Sequence, residues 1–454
     1  MASLEKPGRD RFATGLGVIA ATLGSAVGLG NIWKFPSLTG LNGGASFIVV
    51  YLIATLLVGL PVMVAEIMLG RKARADAIGT FRKLAPKGQP WWLVGAAGVL
   101  AAFLILAFYT EVAGWVFAYI FKSIGGGLLS TDPQVTSAAF GALVSDPWQS
   151  LLWQWLVLAL VGGIILLGVS KGIERVTKRL MPLLFLILVA LCVRSLTLPG
   201  AGEGLAFLFR PDFSKITFAT LLIALGLSFF KLSVGMGTMV TYGSYFREDQ
   251  DIPRTAAQVM LADLGVSILA GIAIFPAVFT YGFEPAAGPS LLFITIPAVF
   301  ASLPLGGVFM LLFFVLAAIA ATGAMLSLLE VPVAFLNERA RMSRTQATLL
   351  TIGLLAVIGS TAALSNSWLA GVKPFGLNLF DLYDYATSNI LLPVGGIFIS
   401  LFAGWFWGFR NLRDTLTNQG TLRNGRVVTV FYAIVKFVSP PLIVVVLLSG
   451  LGVL

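Results

Sequence analysis

The sequence predicts an all-α polytopic membrane protein, and three observations predict it. The 454-residue chain is 58% hydrophobic and only 11% charged, against roughly 25% charged residues in an ordinary soluble domain. Its apolar stretches repeatedly exceed the ~18 residues needed to cross a bilayer. Its basic residues gather at alternate ends of those stretches, as the positive-inside rule requires of cytoplasmic loops.

Apolar runs place spans near residues 14–37, 43–70, 91–122, 152–169, 173–196, 217–246, 255–283, 305–338, 346–364, 385–409 and 427–449, about eleven crossings in all. The first is not a cleavable signal, because it continues through Asn31, Trp33 and Pro36 without a small-residue cleavage site. With the N-terminus in the cytoplasm and the C-terminus extracellular or periplasmic, basic residues off the cytoplasmic side are Lys34, Lys122, Arg194, Arg210, Lys215, Lys231, Lys373 and Lys436, out of 30. The net charge of +10 therefore reads as topology in a cell (inner) membrane, with the lipid bilayer as partner, and not as a nucleic-acid footprint. Residues 124–150 read as an extracellular loop, Pro289 to Pro304 as a short helical lid, and 410–426 as a cytoplasmic loop. No segment reads as a separate soluble domain.

The chemistry available is narrow. The chain has one cysteine, Cys192, and no histidine. That excludes an intramolecular disulfide and a cysteine cluster for metal, and no cofactor is implied. A proton relay must use carboxylates, lysine, tyrosine or water. The absence of a catalytic cluster argues against an enzyme.

Two spans break the helical pattern. The first reads Gly24-Ser25-Ala26-Val27-Gly28-Leu29-Gly30-Asn31 at its centre. The sixth reads Phe229-Phe230-Lys231-Leu232-Ser233-Val234-Gly235-Met236-Gly237-Thr238. A charge at bilayer depth costs about 2.5–3.5 kcal/mol, and a glycine weakens a helix by about 1 kcal/mol relative to alanine. Small residues at mid-span also suit plain helix packing. The pairing of two Gly-interrupted segments in corresponding positions points instead to a transporter site. The second segment lies five spans after the first, an odd number, so the two halves have opposite topology.

On these residues the chain resembles the neurotransmitter:sodium symporters. The likeness covers nearly the whole chain. It includes Phe35-Pro36, Asn42-Gly43-Gly44, Glu66 with Gly70-Arg71, Lys171-Gly172-Ile173-Glu174-Arg175, Thr241-Tyr242-Gly243-Ser244-Tyr245, Asp249-Gln250-Asp251 and Glu330-Val331-Pro332. The resemblance implies the LeuT-type 5+5 inverted repeat of the bacterial eleven-helix kind, with the first and sixth helices unwound at mid-membrane. A single transporter domain would then hold repeat one near 9–196, repeat two near 212–409 and an additional helix near 427–449. The implied activity is secondary transport by alternating access.

The resemblance also assigns a site. A substrate carboxylate would sit at the unwound first span, where Gly28 leaves room, with Gly30 beside it and the Tyr109 hydroxyl reaching in. Ser25, Ala26, Ile105, Phe230, Ser233, Met236, Ala324 and Leu328 would complete a small, mostly apolar pocket. The sodium positions depart from the family. The first uses the Ala26 carbonyl, the Asn31 side chain, a hydroxyl in the sixth span and an asparagine in the seventh; here the last two are Lys231 and Asp263. The second uses carbonyls at Gly24, Val27 and Ala320 and two hydroxyls in the eighth span, which are Gly323 and Ala324 here. A hard cation wants several oxygen ligands, so sodium is not expected. Lys231 against Asp263 and Asn31 would replace the first ion. Desolvation and a nearby carboxylate pull a lysine's proton affinity in opposite directions, which makes a proton the expected coupling partner. The expected substrate is an amino acid or related small carboxylate; a small monocarboxylate without an amine is the variant, and conventional sodium symport the alternative. Lys34 with Asp384 would form an extracellular gate, and Arg9 with Glu338, near Phe12 and Tyr245, a cytoplasmic one. Glu111 is an extra intramembrane acid, open to reading as a proton-path group or a paired structural acid.

Overall fold

A computed structural model describes residues 10–126, 130–282 and 291–454. The described residues are helical, with no strand. Nine helices among them are long and apolar enough to cross a membrane. In chain order the elements are α1 (Gly15–Ala26), α2 (Gly30–Leu41), α3 (Ala45–Ala73), α4 (Ala77–Leu84), α5 (Trp92–Ile124), α6 (Pro133–Ser145), α7 (Pro147–Leu166), α8 (Val169–Leu196) and α9 (Ala201–Phe209). There follow α10 (Phe218–Lys231), α11 (Thr238–Gly243), α12 (Ile252–Tyr281), α13 (Leu291–Ala301), α14 (Gly306–Arg339), α15 (Arg344–Asn366), α16 (Leu379–Leu416) and α17 (Gly425–Gly450). The first predicted span is α1 and α2, bent by 55° at their break. The sixth is α10 and α11, separated by residues 232–237.

Side-chain caps set several helix starts by accepting from amides that have no partner within the helix. Thr14 accepts from Gly17, Asp251 from Arg254, and Thr217 with Thr220 and Ser343 with Gln346 form capping boxes. The same chemistry corrects two expectations. Residues 124–150 are not simply loop: Asp132-Pro133 opens α6, whose Leu143 is buried and whose Phe140 stacks on Phe293. The fourth span begins at Pro147 because the Asp146 carboxylate accepts from Trp148 and Gln149. Residues 410–416, expected in a loop, continue α16. The predicted lid is helical over α13, and its first two positions lie outside the described residues.

The two broken spans lie inside the bundle. Ala26, Val27, Leu29, Leu232, Val234 and Met236 are all buried, walled by α5, α12 and α14. Non-helical backbone at membrane depth is tolerated only in such a setting.

Candidate functional site

The geometry begins with the breaks. After α1 the chain turns extended at Val27. After α10, Ser233, Gly235 and Gly237 all take positive φ, at 53°, 81° and 75°. Glycine enters that region without steric cost; Ser233 is held there with its hydroxyl donating to the Ser25 carbonyl at 2.8 Å. The Gly235 amide, freed by the break, donates to the Glu66 carboxylate at 2.6 Å. The Thr238 hydroxyl donates to the Ser233 carbonyl at 2.6 Å. These contacts meet the demand that buried backbone groups be satisfied.

Ser25, Ala26, Gly28, Gly30, Ile105, Tyr109, Phe230, Lys231, Ser233, Met236, Ala324 and Leu328 line one small cavity of about 30 Å³. The sequence had grouped these residues, and the fold brings them together. The Leu29 amide donates to the Tyr109 hydroxyl at 2.9 Å, and the Gly28 amide to the Asn31 side-chain oxygen at 3.2 Å. A Cβ at Gly28 would lie 3.0 Å from the Tyr109 hydroxyl and 3.2 Å from Ala324 Cβ. At about 30 Å³ the cavity has room for little more than a water, so a substrate needs the site to open.

Behind this cavity sits a closed ionic cluster. Lys231 Nζ lies 2.9 Å from the Asp263 carboxylate, with the two side chains 0% and 1% exposed. It also donates to the Ser267 hydroxyl. The faces of Phe35 and Tyr51 lie 4.6 and 4.8 Å from it, at cation–π range. Asn31 donates to the other Asp263 oxygen at 2.6 Å and to Ser267 at 3.0 Å. Ser267 donates onward to the Asp263 carbonyl at 3.0 Å. Every member has a partner, the condition under which a buried pair is tolerated. Ser267 was not among the residues singled out from the sequence; its spacing one turn after Asp263 is the signal that it shares that face.

The second position that the resemblance assigned to an ion is built differently. A Cβ on Gly323 would lie 2.6 Å from the Gly24 carbonyl oxygen, so α14 and α1 meet backbone to backbone. The adjacent Thr322 hydroxyl turns back to the Ala318 carbonyl at 2.7 Å. Gly24, Val27, Ala320, Gly323 and Ala324 are buried at this seam and bring no side-chain oxygen to it.

The residues expected to form gates divide. Lys34 Nζ stands over the Phe230 ring at 4.2 Å, while Asp384 accepts from Ser388 at 2.7 Å. Lys34 and Asp384 thus do not pair directly. Phe230 separates the small cavity from an outer recess of about 350 Å³ that Lys34 and Ser388 line. On the opposite side Arg9 lies outside the described residues. Glu338 accepts from the Asp76 amide at 3.0 Å. Phe12 is buried edge-on against Tyr242 and Tyr245. The Tyr245 hydroxyl donates to Glu330 at 2.7 Å, and Arg344 grips the same carboxylate at 2.6 Å. Glu174 accepts from the Ala13 amide at 2.6 Å and the Thr14 hydroxyl at 2.8 Å. This inner end of α1 is tied down by charge-assisted bonds. Glu111 is buried, with one oxygen taking the Trp115 indole at 2.6 Å.

Comparison with known proteins places this arrangement. The profile of the Sodium:neurotransmitter symporter family matches residues 9–135 and 145–453. The chain is similar to an "Uncharacterized sodium-dependent transporter YhdH" of Bacillus subtilis, 39% identical over 98% of each chain. A sodium- and chloride-dependent taurine transporter of Rattus norvegicus is 26% identical over 92% of this chain and 75% of its own. A crystal structure of MhsT in complex with L-phenylalanine superposes with a TM-score of 0.89 at 43% identity, over 98% of this chain and 100% of that one.

Proposed function

The chain belongs to the sodium:neurotransmitter symporter family, and from that premise we propose that it carries its substrate without sodium. It is a multi-pass membrane transporter with the LeuT fold, not an enzyme. In the proposed mechanism Lys231 stands where relatives hold the first ion, and the second position is lost. The observation that carries this is the Lys231–Asp263 contact at 2.9 Å, complete in its hydrogen bonds and sealed from solvent. The backbone approach of Gly323 to Gly24 supports the second half.

The proposed substrate is an amino acid or a related small carboxylate. The start of α2 beyond Gly28, with the Tyr109 hydroxyl beside it, suits a carboxylate because helix N-termini favour anions. The Ser25 carbonyl and the Ser233 hydroxyl suit an ammonium; a monocarboxylate without an amine is the variant. MhsT was crystallised with L-phenylalanine, in line with the amino-acid default.

Coupling would run through the ion pair. Opening the site to either side admits water to Lys231 and Asp263, changes their solvation and shifts their hold on a proton. In this scheme the basic ends face the cytoplasm, with the N-terminus inside and the C-terminus outside, and the repeats run near 9–196 and 212–409, followed by α17.

The curated relatives carry sodium-dependent names, which favours a second reading, conventional sodium-coupled symport. Proteoliposome uptake under imposed gradients separates the two. An inward proton gradient should drive accumulation with choline in place of sodium, and a protonophore should abolish it. Accumulation driven only by a sodium gradient would establish the second reading.

A further inference from the structure

A second large cavity lies away from the substrate site, on the outer wall of the bundle. It measures about 620 Å³ and is lined almost wholly by apolar groups, among them Trp91 just before α5, Leu93, Ala97 and Leu100 on α5, and Gly395 and Phe398 on α16. Leu93, Leu100 and Phe398 are 52%, 49% and 44% exposed, so the groove opens sideways to the surrounding medium. In a membrane protein that medium is lipid.

Its length and its mouth define an occupant. From Trp92 to Leu100 the groove follows eight helical steps, about 12 Å at 1.5 Å per residue, and Pro90 and Trp91 extend it toward the ~15 Å of one leaflet, half the ~30 Å hydrocarbon core. At its starting end Trp91 packs against Phe398, Phe402 and Phe406, and tryptophan is enriched at membrane interfaces. Arg82 stands over the neighbouring Trp92 ring at 5.3 Å. Arg82 and Lys87 are exposed, and residues 77–92 contain Arg82, Lys83 and Lys87 with no acid. An apolar slot one leaflet deep therefore ends at a basic, aromatic rim.

The inner wall of the slot is the backbone that holds the sixth-span break. A Cβ on Gly395 would lie 2.6 Å from the Gly235 carbonyl oxygen, and one on Gly98, next to Ala97, 3.0 Å from the Gly237 amide. Whatever fills the groove presses on the two helices that brace that break.

We propose that this groove binds one acyl chain of an anionic phospholipid, with its phosphate on Arg82 and Lys87, and that the bound lipid steadies the α5–α16 seam behind the break. The inference needs only that the chain crosses a membrane, and is independent of which ion drives transport.

The test uses the purified full chain in nanodiscs of phosphatidylethanolamine, with and without phosphatidylglycerol, read by native mass spectrometry and thermal melting. Wild type should retain one phosphatidylglycerol per chain and melt several degrees higher when it is present. Ala97→Trp, which fills the slot, should lose both effects. The double variant Arg82→Gln, Lys87→Gln changes only exposed side chains; it should keep the fold and lose roughly tenfold of the preference for the anionic headgroup. Equal retention of the two lipids by wild type would overturn the proposal, as would undiminished phosphatidylglycerol on a folded Ala97→Trp protein or an unchanged headgroup preference in the double variant.

Discussion

The two positions that the family resemblance assigns to sodium are built in opposite ways. At the first, a full charge stands in the bundle with a complete set of partners, Asp263, Ser267 and two aromatic faces. At the second, Gly323 lets α14 close onto the Gly24 carbonyl. One is an electrostatic seam and the other a steric one. Their energetics differ accordingly. A buried ion pair is unforgiving when halved, because the remaining charge has no solvent to turn to. A glycine seam is sensitive to volume but indifferent to charge.

That contrast orders the expected effects. Asp263→Ala should be the most damaging single change, costing about 3–5 kcal/mol by leaving Lys231 buried and unpaired, seen as a large drop in melting temperature and loss of transport. Lys231→Met, Asp263→Leu together should recover much of the stability but not the coupled transport. If the double variant transports against a gradient, the pair is structural only.

Gly323→Thr tests the other seam. With a Cβ 2.6 Å from Gly24 oxygen, it should cost about 1–3 kcal/mol through overpacking, measured by melting. Should Gly323→Thr, Ala324→Ser instead be stable and gain sodium-dependent binding, the seam is more pliable than its packing indicates. Tyr109→Phe follows, at about 1–3 kcal/mol, because the Leu29 amide loses its acceptor; its substrate affinity should also fall if that hydroxyl meets the carboxylate. Ser267→Ala is smallest, about 1 kcal/mol, since Lys231 keeps Asp263 and the aromatic faces.

Much of this was legible in the sequence because mid-membrane glycines and a lysine are too costly to be neutral. Those costs marked both breaks, and the family resemblance then set Lys231 against Asp263. What remained illegible depended on side-chain direction. Phe35 stood out only as part of a motif and Tyr51 not at all, yet their faces flank the ammonium. Lys34 matched a gate pair with Asp384 by motif, but it lies on Phe230 while Asp384 takes Ser388. Glu66 belonged to a motif without an evident role, and its carboxylate receives the Gly235 amide that the break releases. The α6 helix was hidden in a polar loop, because its few buried contacts, such as Leu143, leave no strong helical stripe.

The most direct test of the ion replacement is substrate binding measured by calorimetry on purified protein at fixed ionic strength, with sodium exchanged stepwise for choline. The account predicts one Kd across the series, because the positive charge beside the carboxylate is Lys231 and is always present. A Kd that tightens steeply with sodium would contradict it and return the chain to the sodium-coupled reading.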